Sequence, residues 1–150
     1  MGCLRRRACR GFTLVELLVV ILIIGLLATI AIPNLVSAHR KARYSRAASD
    51  SKTLVTQAIL YGNDKNAYPT SVAVLRSTGY ANMADVDPWN LPWQLSPALL
   101  SGAPARQTDD VYVYSRGALA SGNYPVPFTP ATGENGSVGF SSIYGSWSGM

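Results

Sequence analysis

Cysteine and histidine are scarce in this 150-residue chain, and their positions exclude several classes of protein. Both cysteines, Cys3 and Cys9, lie within the first ten residues, so no disulfide crosslinks the remainder of the chain. His39 is the only histidine, and the carboxylates are scattered. No glycine-rich phosphate loop precedes a helical pattern, and no residues have the spacing of metal ligands. The sequence therefore predicts a protein that is not an enzyme.

Charge is almost absent from the 21 residues between Phe12 and Ile32, where Glu16 is the only ionisable side chain. As a helix, this segment would be roughly 31 Å long, about the thickness of the hydrocarbon core of a bilayer. A carboxylate inside such a helix costs about 3 kcal/mol and is normally paired. The segment itself contains no Lys, Arg or His. Cleavage after Gly11 would supply a partner, because the new α-amine of Phe12 would lie one helical turn from Glu16.

The residues around this acid resemble the start of type IV pilins and pseudopilins. A leader with Arg5, Arg6, Arg7 and Arg10 is followed by Gly11, and residues 12–18 match the onset of mature family members. The resemblance implies that residues 1–11 are a leader peptide, removed by a prepilin peptidase between Gly11 and Phe12, and that Phe12 is then N-methylated. It also implies that Phe12 and Glu16 act in subunit assembly and that Pro33 kinks the helix.

Two other interpretations of the apolar segment are a plain membrane anchor and a cleaved secretory signal. A secretory signal has a shorter apolar region and avoids acids, whereas this segment contains Glu16. Arg40, Lys41, Arg43 and Arg46 follow the segment, so the number of flanking cations does not decide its orientation. The arginines nearest its start predict a single pass with the leader on the cytoplasmic side. The resemblance implies the same orientation, in a bacterial inner membrane with the rest of the chain in the periplasm.

The formal net charge of +5 does not indicate nucleic-acid binding. Four of the 13 basic residues lie in the leader, so the chain from Phe12 onward has nine basic residues against eight acids. The cations at residues 40–46 are interpreted as a solvated helix face near the membrane head groups, with DNA contact by a pilus as the alternative. Within them, Arg46 has the i, i+4 spacing of an ion pair with Asp50.

Helical periodicity continues beyond Pro33 and predicts a helical stalk of about 50 residues, roughly 75 Å long. Together with the strand patterns of the head described below, it predicts an α+β protein. Residues 12–32 form the transmembrane and assembly half of the stalk. Residues 33–61 form an amphipathic half, in which apolar residues recur at helical spacing, namely Ala47, Leu54, Ala58 and Tyr61. Residues 62–150 form a small globular head packed on the stalk, beginning with turn-forming residues from Gly62.

We expect one short helix and an antiparallel sheet in the head. Thr70 or Ser71 can cap the helix, which should extend through Ser77 and end near Gly79. A turn that begins at Asp87 leads into a short strand ending with residues 94–95. The clearest strand pattern covers residues 111–115, and a turn at residues 135–136 precedes a further strand near residues 138–144.

Four short motifs of the head lie at residues 68–70, 87–89, 92–94 and 112–117. They match turn and strand motifs of the major pseudopilins of type II secretion, which the head therefore resembles. That group usually holds calcium on an acidic loop after the last motif, but residues 118–123 here contain no acid. Calcium takes about six to eight oxygen ligands, to which Asp85, Asp87, Asp109 and Asp110 could contribute. We therefore predict no cofactor, with calcium as the alternative.

Together these features predict a structural subunit of a type IV pilus-like filament, most similar to the major pseudopilin, that forms a periplasmic pseudopilus for protein export. The expected partners are further copies of the chain, related minor pseudopilins, the prepilin peptidase, the inner-membrane assembly platform and the lipid bilayer before assembly. A type IV pilin for adhesion, motility or DNA uptake, with its filament at the cell surface, is one alternative. A membrane-anchored binding domain that never polymerises is another.

Overall fold

The computed structural model describes residues 11–102, 104–106, 109–120 and 136–149. Within these residues it contains three helices and four strands, in the order α1 (Leu14–Lys65), α2 (Val72–Ser77), β1 (Gln94–Leu95), α3 (Pro97–Ser101), β2 (Tyr112–Ser115), β3 (Val138–Ser141) and β4 (Gly145–Ser148). The chain divides into two compact units, Met1–Ala38 and His39–Met150. A long helix packed on a small antiparallel sheet confirms the predicted α+β class.

In the first unit, α1 begins at Leu14 and continues through Pro33 as helix. Every residue from Gly11 to Ala38 is exposed except Ala28, which is half-buried. Proline has no backbone N–H and crowds the preceding turn, which is the physical basis for expecting a kink. The kink at Pro33 stays a prediction.

In the second unit, one face of α1 packs against the rest of the head. Its buried residues recur mainly at spacings of three and four, namely Tyr44, Ala47, Ser51, Leu54, Val55, Ala58 and Gly62. The apolar side chains among them share a hydrophobic core with Leu75 of α2, Leu99 of α3 and Val113 of β2. The buried stripe predicted for the second half of the helix is therefore confirmed from residue 47 to residue 58.

The end of α1 lies four residues beyond the predicted boundary at Tyr61. Gly62 is a buried helical residue, and a Cβ added there would lie 3.1 Å from both the Ala105 Cβ and the Tyr68 Cδ1. It allows close packing rather than ending the helix. The helix ends at Lys65, and Asn66 follows in the left-handed region with φ of 52°.

The sheet has the strand order β1-β2-β3-β4, and all neighbouring strands are antiparallel. Strands β1 and β2 occur where the sequence predicts them. On one cross-strand row, Gly139 lies between Tyr114 and Trp147. A Cβ at this position would lie 2.5 Å from the Tyr114 Cβ and 2.7 Å from the Trp147 Cζ2, so the row requires glycine.

The strand predicted near residues 138–144 ends earlier than expected, at Ser141, and a fourth strand follows that the sequence analysis missed. Ser141 Oγ accepts the N–H groups of Ile143 at 3.2 Å and Tyr144 at 3.0 Å, which closes a turn in place of a longer strand. Gly145 begins β4 with φ of 86°. Of the turn predicted at residues 135–136, residue 135 lies outside the described residues.

Serine caps both short helices of the head. Ser71 caps α2, as predicted. Helix α3 was not predicted, although its boundaries carry typical signals. Ser96 Oγ accepts the Leu99 N–H at 3.4 Å, Pro97 occupies the first turn, and Gly102 follows the helix with φ of 58°. These signals were overlooked because the helix has only five residues and no clear periodicity.

Candidate assembly site at the helix start

The start of α1 is closed by reciprocal hydrogen bonds between Thr13 and Glu16. The Glu16 N–H donates to Thr13 Oγ1 at 3.2 Å. In return, Glu16 Oε2 accepts the Thr13 N–H at 2.9 Å and the Thr13 hydroxyl at 2.8 Å. This arrangement is a capping box, in which a threonine before the helix and a glutamate three residues later satisfy each other's backbone donors. The sequence analysis missed it, although Thr-x-x-Glu is its signature.

Glu16 forms no ion pair within the described part of the chain. The first basic residue after Gly11 is Arg40, in the second unit. Phe12 lies four residues before Glu16 and two residues before the start of α1, and its nitrogen is a peptide nitrogen here because Gly11 precedes it. The structure therefore places Gly11, Phe12 and Glu16 within one short segment, and the acid has threonine partners without a cation.

The side chains around Glu16 are apolar and uncovered. Phe12 is 77% exposed, and the large apolar side chains from there to Val36 are between 45% and 80% exposed. Among the described helices, α1 alone is long and apolar enough to cross a membrane, judged by length and composition. A helix that is apolar on every side requires lipid or other helices around it. This surface and the acid within it form the candidate assembly site.

The cations that follow the apolar segment lie on the surface of α1. Arg40, Lys41 and Arg43 are exposed. Arg46 Nε lies 3.5 Å from Asp50 Oδ2, which confirms the predicted i, i+4 pair. Because the Arg46 side chain is 74% exposed, the pair contributes only about 0.3 kcal/mol.

The aspartates considered for calcium do not form a cluster. These residues are Asp85, Asp87, Asp109 and Asp110. Asp85 Oδ2 accepts a hydrogen bond from Arg76 at 2.8 Å, and Asp110 Oδ1 accepts one from the Ser141 hydroxyl. In the described ranges, no group of three or more His, Cys, Asp or Glu side chains could hold a metal ion. Residues 121–135, which include part of the loop at residues 118–123, lie outside those ranges.

Asp87 instead holds two parts of the head together. It is 5% exposed, and its Oδ1 accepts the N–H groups of Trp89 at 2.9 Å and Leu91 at 2.8 Å. Its Oδ2 accepts the hydroxyl of Ser115 on β2, and Ser115 Oγ accepts the Gly117 N–H at 2.9 Å. Aspartate before proline is typical of such turns, but the link to β2 has no local sequence signal.

Tyr68 and Tyr80 of the head have raised pKa values with structural causes. Burial, and then the nearby charge of Asp109, raises the pKa of Tyr68, whose hydroxyl donates to the Arg106 carbonyl at 3.1 Å. The Asp64 carboxylate accepts the hydroxyl of Tyr80 at 2.7 Å and thereby raises the pKa of Tyr80. Both hydroxyls serve as hydrogen-bond donors that support the head.

Comparisons with known proteins point to the same segment and to the head. The family model for the prokaryotic N-terminal methylation motif matches residues 6–32. The type II secretion system core protein G of Aeromonas hydrophila is 36% identical over 111 residues, which cover 63% of this chain and 78% of that protein. The protein of the same name from Dickeya chrysanthemi is 36% identical over 105 residues, covering 59% and 69%. The one from Pseudomonas aeruginosa is 31% identical over 107 residues, covering 61% and 75%.

No solved structure matches the chain. The methylation motif, the apolar helix and these relatives agree with the predicted resemblance and fit anchoring in an inner membrane. The chain belongs to the family of the type II secretion system core protein G, the major pseudopilins, and is a pseudopilin-like structural subunit.

Proposed function

We propose that a prepilin peptidase removes residues 1–11 by cleaving between Gly11 and Phe12, and that Phe12 is then N-methylated. The matched methylation motif includes both residues. A Cβ added to Gly11 would meet nothing within 4 Å, so the fold of this chain does not require glycine there. A peptidase pocket that admits no side chain supplies the reason for glycine.

The processed chain is a non-catalytic subunit, anchored in the inner membrane by residues 12–32 with its head in the periplasm. It polymerises with other copies and with minor pseudopilins, on an inner-membrane assembly platform, into a periplasmic pseudopilus for protein export. The names of the relatives support the link to secretion. The uncovered side chains from Phe12 to Val36 support both states, because lipid covers them before assembly and neighbouring helices cover them in a filament.

The observation that carries this proposal is a carboxylate without a cation on an uncovered apolar helix. Cleavage creates an ammonium group on Phe12, within reach of Glu16 of the same chain or of a neighbour. In a setting of low dielectric constant, an unmatched charge is costly, so the pair fixes the axial register of a subunit that enters the filament. The capping box holds the Glu16 carboxylate at the end of the helix where that ammonium is released.

Two substitutions at Glu16 test whether charge or capping drives assembly. Glu16→Ala removes both, whereas Glu16→Gln keeps an amide oxygen that can accept from Thr13 but removes the charge. We expect both variants to lose filaments or to form them much more slowly, as measured by chemical cross-linking and negative-stain microscopy of the native host. The head should stay folded in both, as judged by limited proteolysis.

The processing step has its own control. Mass spectrometry should find methylated Phe12 at the N-terminus of the wild type, and Gly11→Val should leave an uncut precursor.

Normal filaments from Glu16→Gln would refute the charge pair and favour capping, while normal filaments from both Glu16 variants would refute any assembly role for this residue. A protein that keeps its leader in the native host and never assembles would refute the filament function itself.

A further inference from the structure

Four cations form a collar around α1 after its apolar segment. This basic collar consists of Arg40, Lys41, Arg43 and Arg46, all exposed. At 3.6 residues per turn, the four positions together cover about 220° of the helix circumference within about two turns. A strip that contacts one protein or one DNA duplex would lie on one side of the helix. These cations instead surround most of it.

The basic collar has almost no neutralising acid. No Asp or Glu occurs between Glu16 and Asp50. Asp50 pairs with Arg46, and within the described residues Arg40, Lys41 and Arg43 take part in no ion pair. The three side chains therefore present full positive charges to whatever surrounds the helix. Cations on this flank also oppose the proposed orientation, since positive charge favours the cytoplasmic side, so a compensating interaction is needed.

We propose that the basic collar binds the phosphate groups of anionic phospholipids in the bilayer that residues 12–32 span. Arg40 follows Ile32 by only eight residues in the sequence, and long Lys and Arg side chains can extend back toward a head-group layer. A membrane surface surrounds a helix that passes through it, which matches cations on several sides. The inference rests on the proposed membrane anchoring. The lipid contact holds the subunit at a fixed depth until assembly withdraws it.

The test measures lipid preference with the full chain in phosphatidylcholine vesicles that contain traces of spin-labelled phosphatidylglycerol or spin-labelled phosphatidylcholine. Electron spin resonance gives the ratio of the two lipids' association with the protein. Because each surface cation strengthens attraction to anionic lipid about fivefold, Arg40→Gln/Lys41→Gln/Arg43→Gln should lower the preference for phosphatidylglycerol by roughly fivefold or more. Added salt should weaken the wild-type preference. The leader arginines are present in both proteins and do not contribute to the difference.

A matched control removes three exposed cations from the head, in Lys65→Gln/Arg106→Gln/Arg116→Gln. It should keep the wild-type preference, and circular dichroism should show that both triple variants are folded. An unchanged preference in the collar variant, or an equal loss in the control, would overturn the proposal. Unchanged lipid preference with loss of filaments in the host would assign the basic collar to a second copy of the chain. Failure of the wild type to float with vesicles would instead refute membrane anchoring.

Discussion

Replacing Asp87 with alanine removes a buried carboxylate that three groups of the head use as their acceptor. The N–H groups of Trp89 and Leu91 and the hydroxyl of Ser115 donate to it, and it is 5% exposed, so little water is available to replace it. A hydrogen bond to a charged group contributes about 1.5–3 kcal/mol, and a buried donor left without an acceptor costs about 1–3 kcal/mol. Because the three bonds share one side chain, their contributions are not additive, and we expect Asp87→Ala to lower the free energy of unfolding by about 3–5 kcal/mol.

Two milder variants distinguish the contribution of the bonds to Oδ1 of Asp87 from that of the bond to Oδ2. Asp87→Asn keeps an oxygen for the two N–H groups but turns an NH₂ toward Ser115, and should lower the free energy of unfolding by about 1–2 kcal/mol. Ser115→Ala removes the hydroxyl donor and the acceptor of the Gly117 N–H, and should cost about 1–3 kcal/mol. The loss in Asp87→Ala/Ser115→Ala should be smaller than the sum of the single losses, because the two side chains share a hydrogen bond.

Urea unfolding of the full chain in detergent, followed by tryptophan fluorescence, measures these differences. Asp85→Ala is the matched control, because its pair with Arg76 has side chains that are 47% and 45% exposed and should contribute less than about 1 kcal/mol. If Asp87→Ala unfolds at the same urea concentration as Asp85→Ala, the structural role assigned to Asp87 is wrong.

Three further outcomes are expected. Gly139→Ala should lower the free energy of unfolding by about 2–3 kcal/mol, because its Cβ would press on Tyr114 and Trp147, whereas Gly25→Ala, with nothing within 4 Å, should not be destabilised in the same urea assay. Chelation by EDTA should leave the midpoint of thermal unfolding within about 1 °C, and a large fall would indicate calcium. Because the pKa of Tyr68 is raised by folding, its contribution to stability is complete below about pH 10 and is lost as pH rises through the folded pKa. Tyr68→Phe should therefore lose less stability between about pH 9 and about pH 11, measured by urea unfolding.

The parts of the fold that the sequence predicts are those set by a residue pattern along one element or by contacts between residues close in sequence. The buried stripe of α1 follows from apolar residues at helical spacing, and the cap of α2 follows from Ser71 three residues before the N–H that it accepts. Strand β2 follows from alternating aromatic and β-branched residues. In each case the determining interactions lie within four residues of one another or repeat along one element.

Two features that the sequence did not predict depend on distant residues. Glycine is typical of turns, yet Gly62 lies inside α1, where Ala105 and Tyr68 leave no room for a larger side chain. Asp87 has the pattern of a turn aspartate, yet its second oxygen reaches Ser115, 28 residues away. No pattern in a single sequence gives the positions of such partners.

The candidate assembly site combines both situations, because its residues are close in sequence but the charge pair proposed for it requires a chain end that only cleavage creates. Within the described residues, Glu16 uses Oε2 for both bonds to Thr13, and Oε1 accepts no hydrogen bond. An ammonium group on Phe12 could therefore pair with Oε1 while the capping box stays closed. In the proposed arrangement, capping orients the carboxylate and charge pairing gives it a partner, so the two interactions support each other. Glu16→Gln can keep the capping bonds to Thr13 but removes the charge pair with the Phe12 ammonium. This variant therefore distinguishes the two interactions.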